Sequence, residues 1–339
     1  MILWWWLACA PSEAPPEAES PDDTSTQAQP TADSTPTPRT LRVVTWNTGT
    51  TEGLPHDAEP DDGYSSADAT LSDTWYGDGL AWQPAVDAAR AWLSATDPDL
   101  VAFQEMFLSD DCAGIPPEAH ADFVCATWEP GDDPVVLDIL GPAYQVACHL
   151  GKSDKCLAVH ERVGTLRGCE GRLCLDGLEG STVEGCGSGS RVGLGTLDAV
   201  GLSVVTVHGT SGLSPDDQAC RTAQVEQIFV DLGDGAPAVR GPSNLVLGDL
   251  NTDPGRFAGF DPSAARWLDF AGDGLPFQFH TEIGEDAPGS YQGLTDIDHV
   301  LSDALDGSCW IAGVSEGHPE VIDAVYFDHH PVVCDLTLP

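Results

Sequence analysis

The chain has 339 residues, with 55 Asp and Glu against 13 Lys and Arg and a formal charge of −42. That balance argues against a protein built to grip nucleic acid, because such binding draws on cations that displace counterions at phosphates. With 41% hydrophobic residues, the chain is long enough to bury the core of one large domain, while no apolar run approaches the ~20 residues of a membrane span.

Residues 1–10 read as a signal or lipoprotein-like segment. Cys9 stands alone in WLACA, after a short apolar run, as a cysteine for lipid attachment that would tether the protein to a membrane. An ordinary cleaved signal peptide is the alternative, because no Lys or Arg stands near Met1. Residues 11–40 are rich in Pro, Ser, Thr, Glu and Ala and cannot bury enough apolar surface to offset their ordering entropy, which predicts a disordered tether. Residues 1–40 hold six acidic and one basic residue, leaving about −37 on the rest. A surface adapted to high salt, or one that binds Ca²⁺, is the plain reading of that charge, and salt would screen repulsion from DNA.

From residue 41 the signals alternate. Residues 41–46 form an apolar, β-branched run that predicts a buried strand ending at Asn47. Residues 48–79, full of Asp and Gly, are too long for a simple connection and predict a functional or ion-decorated loop. A helix is expected over 79–95, with Leu80, Ala81, Val86, Ala89 and Leu93 inward, then a strand over 99–105. Residues 112–190 predict short strands and insertions. Strands follow at 191–196 and 202–208, a helix at 218–232 with Ala219, Ala223, Ile228 and Val230 inward, and strands at 244–248, 298–301 and 332–338.

Eleven cysteines are odd in number, but with Cys9 set aside ten lie between Cys112 and Cys334. An even set in a domain with two lysines predicts disulfides and an oxidising compartment. A metal site is the rival reading, but no CxxC pair finds a matching second pair. Pairings Cys169–Cys174, Cys148–Cys156 and Cys309–Cys334 are plausible on spacing.

Five short strings carry the chemistry: Trp46-Asn47, Gln104-Glu105, GDLNTD at 248–253, IDHV at 297–300 and DHHPV at 328–332. In this order they resemble the endonuclease/exonuclease/phosphatase superfamily of metal-dependent phosphoester hydrolases, over residues 41–338. The resemblance implies a sandwich of two mixed sheets between helical layers (αββα), an α/β (α+β) fold spanning 41–339. It also implies that Glu105 is the principal metal ligand, with Asn47 assisting and Asp328 completing the shell, an oxygen set suited to Mg²⁺, Mn²⁺ or Ca²⁺. His329 would approach the phosphate, held by Asp298, either as base or as stabiliser of the transition state. Asp249 would position or deprotonate water, and Asn251 would donate to a phosphoryl oxygen. His208 looks like a second catalytic histidine, since Arg221 and Gln224 follow it as the family's R-x-x-Q helix does. His299 and His330 are expected to face away. Phe327 departs from the pattern, standing where family members often carry Ser.

The function expected is a secreted or lipid-anchored, monomeric, metal-dependent phosphodiesterase. Its substrate would be either nucleic acid, as for an extracellular nuclease, or a phospholipid head group or small phosphodiester, as for bacterial sphingomyelinases. A non-catalytic binding module on the same fold is the reading from another class. It has no physical need for all these polar groups together.

Overall fold

A computed structural model describes residues 39–51, 56–57 and 61–339. The segments expected as signal and tether, with Cys9, lie outside the described residues, apart from Arg39 and Thr40, which already belong to the first strand.

Twelve strands are described: β1 Arg39–Asn47, β2 Leu100–Gln104, β3 Tyr144–His149, β4 Lys152–His160, β5 Leu173–Cys174, β6 Val192–Leu197, β7 Leu202–His208, β8 Ser243–Asp249, β9 Gln278–Phe279, β10 Asp298–Ser302, β11 Asp306–Ile311 and β12 Val332–Leu338. The helices are α1 Ser66–Leu71, α2 Gln83–Thr96, α3 Val135–Leu140, α4 Pro215–Phe229, α5 Pro254–Phe257 and α6 Pro262–Trp267. One sheet runs β11-β12-β1-β2-β4-β3-β5 and the other β6-β7-β8-β10-β9. Both are mixed, with β1/β2, β3/β5 and β7/β8 parallel.

Strand alternation builds four layers. Leu41, Val43, Leu100 and Ala102 face Leu202, Val204, Leu245 and Leu247 between the sheets. Val44, Trp46, Val101 and Phe103 turn outward onto Ala85, Ala89 and Leu93 of α2. Val205, Val207 and Val246 turn onto Val225 and Ile228 of α4 and Trp267 of α6. This is the expected sandwich of two packed sheets between helices.

Several boundaries moved. The helix expected from 79 begins at Gln83, with Pro84 in its first turn; Leu80 and Ala81 are buried ahead of it. The backbone N–H groups of Ala81 and Trp82 donate to the Tyr326 hydroxyl instead of starting a helix. The helix expected over 218–232 is α4, begun by a capping box between Ser214 and Asp217. Its buried face is Cys220, Arg221, Gln224, Val225, Gln227 and Ile228, so of the four residues expected inward only Ile228 is buried, and Val230 is 49% exposed. A disulfide at Cys220 and inward bonds from Arg221 and Gln224 set that phase, which apolar periodicity alone misjudges. The cysteine-rich middle also holds a nine-residue strand, β4, longer than expected there.

All ten domain cysteines pair. The three plausible pairings are present, two of them across strand partners in register, Cys148 with Cys156 and Cys309 with Cys334. Cys112–Cys125 and Cys186–Cys220 complete the set. Among the described residues no helix is long and apolar enough to cross a membrane.

Candidate active site

Strand direction brings the eight singled-out residues to one edge of the two sheets. Asn47 ends β1 and Glu105 follows the parallel β2; His208 and Asp249 end β7 and β8 as register partners. β10 and β12 run the opposite way, so Asp298 opens β10 directly opposite Asp249. Asp328 and His329 precede β12, beside the end of β1, where Thr45 pairs with Val332.

Three oxygens close around Gly49. A methyl group built there would lie 2.2 Å from Glu105 Oε2 and 3.1 Å from both Asn47 Oδ1 and Asp328 Oδ1, so the absence of a side chain keeps this cradle open. The Asn47 side chain is oriented at both ends: Oδ1 accepts from Gly49 N–H at 2.9 Å, and Nδ2 donates to Asp249 Oδ2 at 3.1 Å. Asp328 Oδ1 is buried without a hydrogen-bond partner, a state expected to be costly unless something else satisfies it. Anionic and amide oxygens around an open point, one of them orphaned, fit a hard divalent cation. Glu105 adopts φ +58° and Asn251 +51°, left-handed conformations that cost roughly 1–3 kcal/mol each outside glycine and cluster at functional sites.

Beside this cradle lies a buried acid–base cluster. His329 Nδ1 is 2.7 Å from Asp298 Oδ2, and His329 Nε2 is 3.9 Å from Asp249 Oδ2. His208 Nε2 lies 3.4 Å from Glu105 Oε1 and 3.5 Å from Asp249 Oδ2. Asp249 is held by Asn251, whose backbone N–H and Nδ2 donate to it at 2.7 and 2.9 Å. Asn251 Nδ2 also reaches Gly209 O; the group expected to face a phosphoryl oxygen is here engaged in orienting Asp249. Atoms of Asp249, Asp298 and His329 lie within 4.8 Å of one another and form a second group able to hold a cation.

Burial and charge divide the protonation states. Burial would lower the His329 pKa, but Asp298, Asp249 and Asp328 outweigh it and raise it to about 10. His208 is pushed well below its ordinary value by burial and then by Lys155, so it is neutral. Burial raises Asp249 and Asp328 to about 7 against the attraction of His329. It also raises Glu105, although 34% of that side chain remains open to solvent.

His299 and His330 turn elsewhere. His299 hydrogen-bonds Thr281 and Asp296 O, and the His330 ring lies against Gly313. Arg221 and Gln224 do not touch the cluster: Arg221 pairs with Asp261 and donates to Thr210 and Gly212 carbonyls, and Gln224 Oε1 accepts from Thr210 N–H. They hold the turn after His208. Phe327 packs edge-on against Trp46 at 4.8 Å, so an aromatic contact stands in the place of a hydroxyl.

Three residues escape sequence reasoning. Ser290 Oγ accepts the N–H groups of Ile297 and Asp298 at 3.1 Å each, and the Tyr291 ring lies 4.8 Å from the His329 ring; no spacing in the sequence announces either. Lys155, buried and paired with Asp154, works against the burial that raises Glu105 and adds to the burial that lowers His208. Its signal was its rarity, as one of two lysines in the chain.

No family model and no curated protein matches the sequence. Among solved structures, an AP endonuclease from Archaeoglobus fulgidus is similar at 12% identity and a TM-score of 0.47, over 87% of this chain and 98% of that one. The 3′ phosphatase NExo from Neisseria, bound to product DNA hairpin, is similar at 15% identity and 0.45, over 87% and 98%. TDP2 from D. rerio, complexed with single-strand DNA product, is similar at 13% and 0.46, over 88% and 98%.

Proposed function

We propose that the chain is a divalent-metal-dependent phosphoester hydrolase of the phosphodiesterase type. The observation that carries this reading is the oxygen cradle of Glu105, Asn47 and Asp328 lying next to the His329–Asp298 pair and Asp249. Phosphoester hydrolysis needs charge neutralisation, an activated water and donors for the developing oxyanion, and this edge holds groups for each.

Glu105, Asn47 and Asp328 would hold Mg²⁺, Mn²⁺ or Ca²⁺. When bound, the cation would offset negative charge on the phosphoryl oxygens. His329, its pKa raised to about 10, is an imidazolium at neutral pH, and Asp298 fixes which nitrogen faces the phosphate; it therefore acts as a donor to the phosphoryl oxygen rather than as base. Asp249, raised to about 7, is poised to take a proton from water near neutrality. Asn251 and Asn47 aim its carboxylate, and neutral His208 supplies a second donor from Nε2.

The substrate reading favoured here is a phosphodiester other than a long nucleic acid, because a charge of −42 repels a polyanion. Five disulfides support an oxidising, extracellular setting; attachment through a lipid on Cys9 belongs to the same reading. The test is turnover of a chromogenic phosphodiester by the full-length chain, with each of the three metals and with chelator. Metal-dependent release that disappears in His329→Ala is expected, and no turnover under any metal would sink the proposal.

A further inference from the structure

The turn that leads into β10 folds onto the residues that lead into β12. Residues 290–292 run antiparallel to residues 328–330: His330 N–H donates to Ser290 O at 2.8 Å, Gln292 N–H donates to Asp328 O at 2.9 Å, and Tyr291 pairs with His329 between them. The turn also closes on itself. Tyr291 N–H donates to Thr295 O and Leu294 N–H to Tyr291 O, with Gln292 and Gly293 left-handed at φ +49° and +66°. A methyl group built at Gly289 would lie 2.6 Å from both Gly293 C and Leu294 N, so the bare backbone there lets the turn shut.

Ser290 is where this turn meets the other half of the acid–base pair. The residue is fully buried. Its Oγ accepts the N–H groups of Ile297 and Asp298 at 3.1 Å each, and its side chain hydrogen-bonds the Asp296 carboxylate. A hydroxyl offers one proton and two lone pairs, so all of them are spent on residues 296–298. The carbonyl of the same residue holds the N–H that follows His329. Ser290 therefore grips the backbone on both sides of the 2.7 Å bond between His329 Nδ1 and Asp298 Oδ2. That grip has a reason in the topology. Asp298 opens β10 in the five-stranded sheet, whereas His329 leads into β12 in the seven-stranded one, so no shared ladder of strand hydrogen bonds fixes the distance between them.

We propose that Ser290 is the positioning residue of the His329–Asp298 pair, a clasp between the two sheets that sets where histidine and carboxylate stand relative to one another; as a role in turnover, this rests on the hydrolase reading. Removing the hydroxyl leaves two buried N–H groups unpaired and frees residues 297–298 to relax away from His329. The oxygens around Gly49 are spared. Asn47, Glu105 and Asp328 all belong to the seven-stranded sheet or to residues next to its strands, so loss of the clasp separates the chemistry of the pair from metal binding.

The test is Ser290→Ala in the full-length protein, read in two ways. The proton on His329 Nδ1, held in a short charge-assisted bond, gives a downfield NMR resonance that is assigned by its loss in His329→Ala. In Ser290→Ala this resonance is expected to shift or disappear. On a chromogenic phosphodiester, kcat is expected to fall about tenfold or more, the cost of a misplaced group, while KM and the metal concentration for half-maximal activity stay within about twofold. Ser290→Thr keeps the hydroxyl and should keep both the resonance and kcat. A resonance unmoved in Ser290→Ala, a loss shared equally by Ser290→Thr, or a fall in kcat matched by the same rise in metal requirement overturns the clasp. Should Ser290→Ala not fold, amide exchange in the unsubstituted protein decides: the Asp298 and His330 N–H groups are expected to exchange slowly and together, and either one exchanging as an open loop does overturns it. The resonance and the exchange need no substrate, so the clasp is tested even where no ester turns over and the hydrolase reading fails.

Discussion

His329 presents one nitrogen to each of two carboxylates that face one another across paired strands: Nδ1 lies 2.7 Å from Asp298 and Nε2 3.9 Å from Asp249. The imidazole is thus held from behind while its other edge looks toward the group expected to handle water. His329→Ala and Asp298→Ala are each expected to cut turnover by roughly 10² or more, the scale of a positioned acid–base group. The double variant should lose little beyond the worse single, because groups that act as one unit are not additive. His330→Ala, whose ring lies against Gly313, should be nearly silent. Steady-state kinetics on one phosphodiester check all four, and activity lost in His330→Ala but kept in His329→Ala would refute the roles.

Gly49→Ala probes the cradle without removing a ligand. The added methyl would lie 2.2 Å from Glu105 Oε2, so the carboxylate must move, and the metal concentration for half-maximal activity should rise at least about tenfold, or ~1.4 kcal/mol. Glu105→Gln should raise it too, by replacing a charged oxygen with an amide. Metal titration of activity, together with calorimetric binding of Mn²⁺, checks this. Unchanged metal dependence in both variants would remove the cradle from consideration.

Acid should weaken the fold through His149. Its ring bridges the sheets, with Nδ1 3.2 Å from Ser190 O and Nε2 2.7 Å from Thr206 Oγ1. Burial lowers its pKa from 6.5 to about 3. The unfolded chain therefore binds a proton near pH 6.5 that the folded one refuses. Stability is full above that value and falls as pH drops toward about 3, by up to ~1.4 kcal/mol per pH unit. His149→Gln should be less stable at pH 7 yet lose less between about pH 6.5 and 4.5, as read by urea denaturation. Parallel pH profiles for the two proteins would show that His149 does not contribute.

The Cys186–Cys220 bridge should matter most among the disulfides, because its separation of 34 is the longest. Loop-closure entropy puts its contribution at about 4 kcal/mol, or roughly 5–10 °C in Tm for a domain of this size. Cys186→Ser/Cys220→Ser should lower Tm by that order, and mass spectrometry of the unreduced protein should find ten paired domain cysteines. Predominantly free thiols would contradict the oxidising setting.

Much of this architecture could be read along the chain because its signals are local. Asn47, Asp249 and Asp298 each bound a short apolar strand, and β7 and β12 occupy the residues expected for them. Cysteine spacing anticipated three bridges, two of them between neighbouring strands. What the sequence could not decide were choices made by distant partners. Tyr326 captures the N–H groups of Ala81 and Trp82 and delays α2; Cys186 and Asp261 turn α4 so that Ala219 and Val230 face outward. Ser290, Tyr291 and Lys155 reach the site only because their strands and turns end at the same edge. Periodicity reports which face of an element is apolar, but which atom meets which is set by strand order and register, and those exist only once the two sheets have closed on each other.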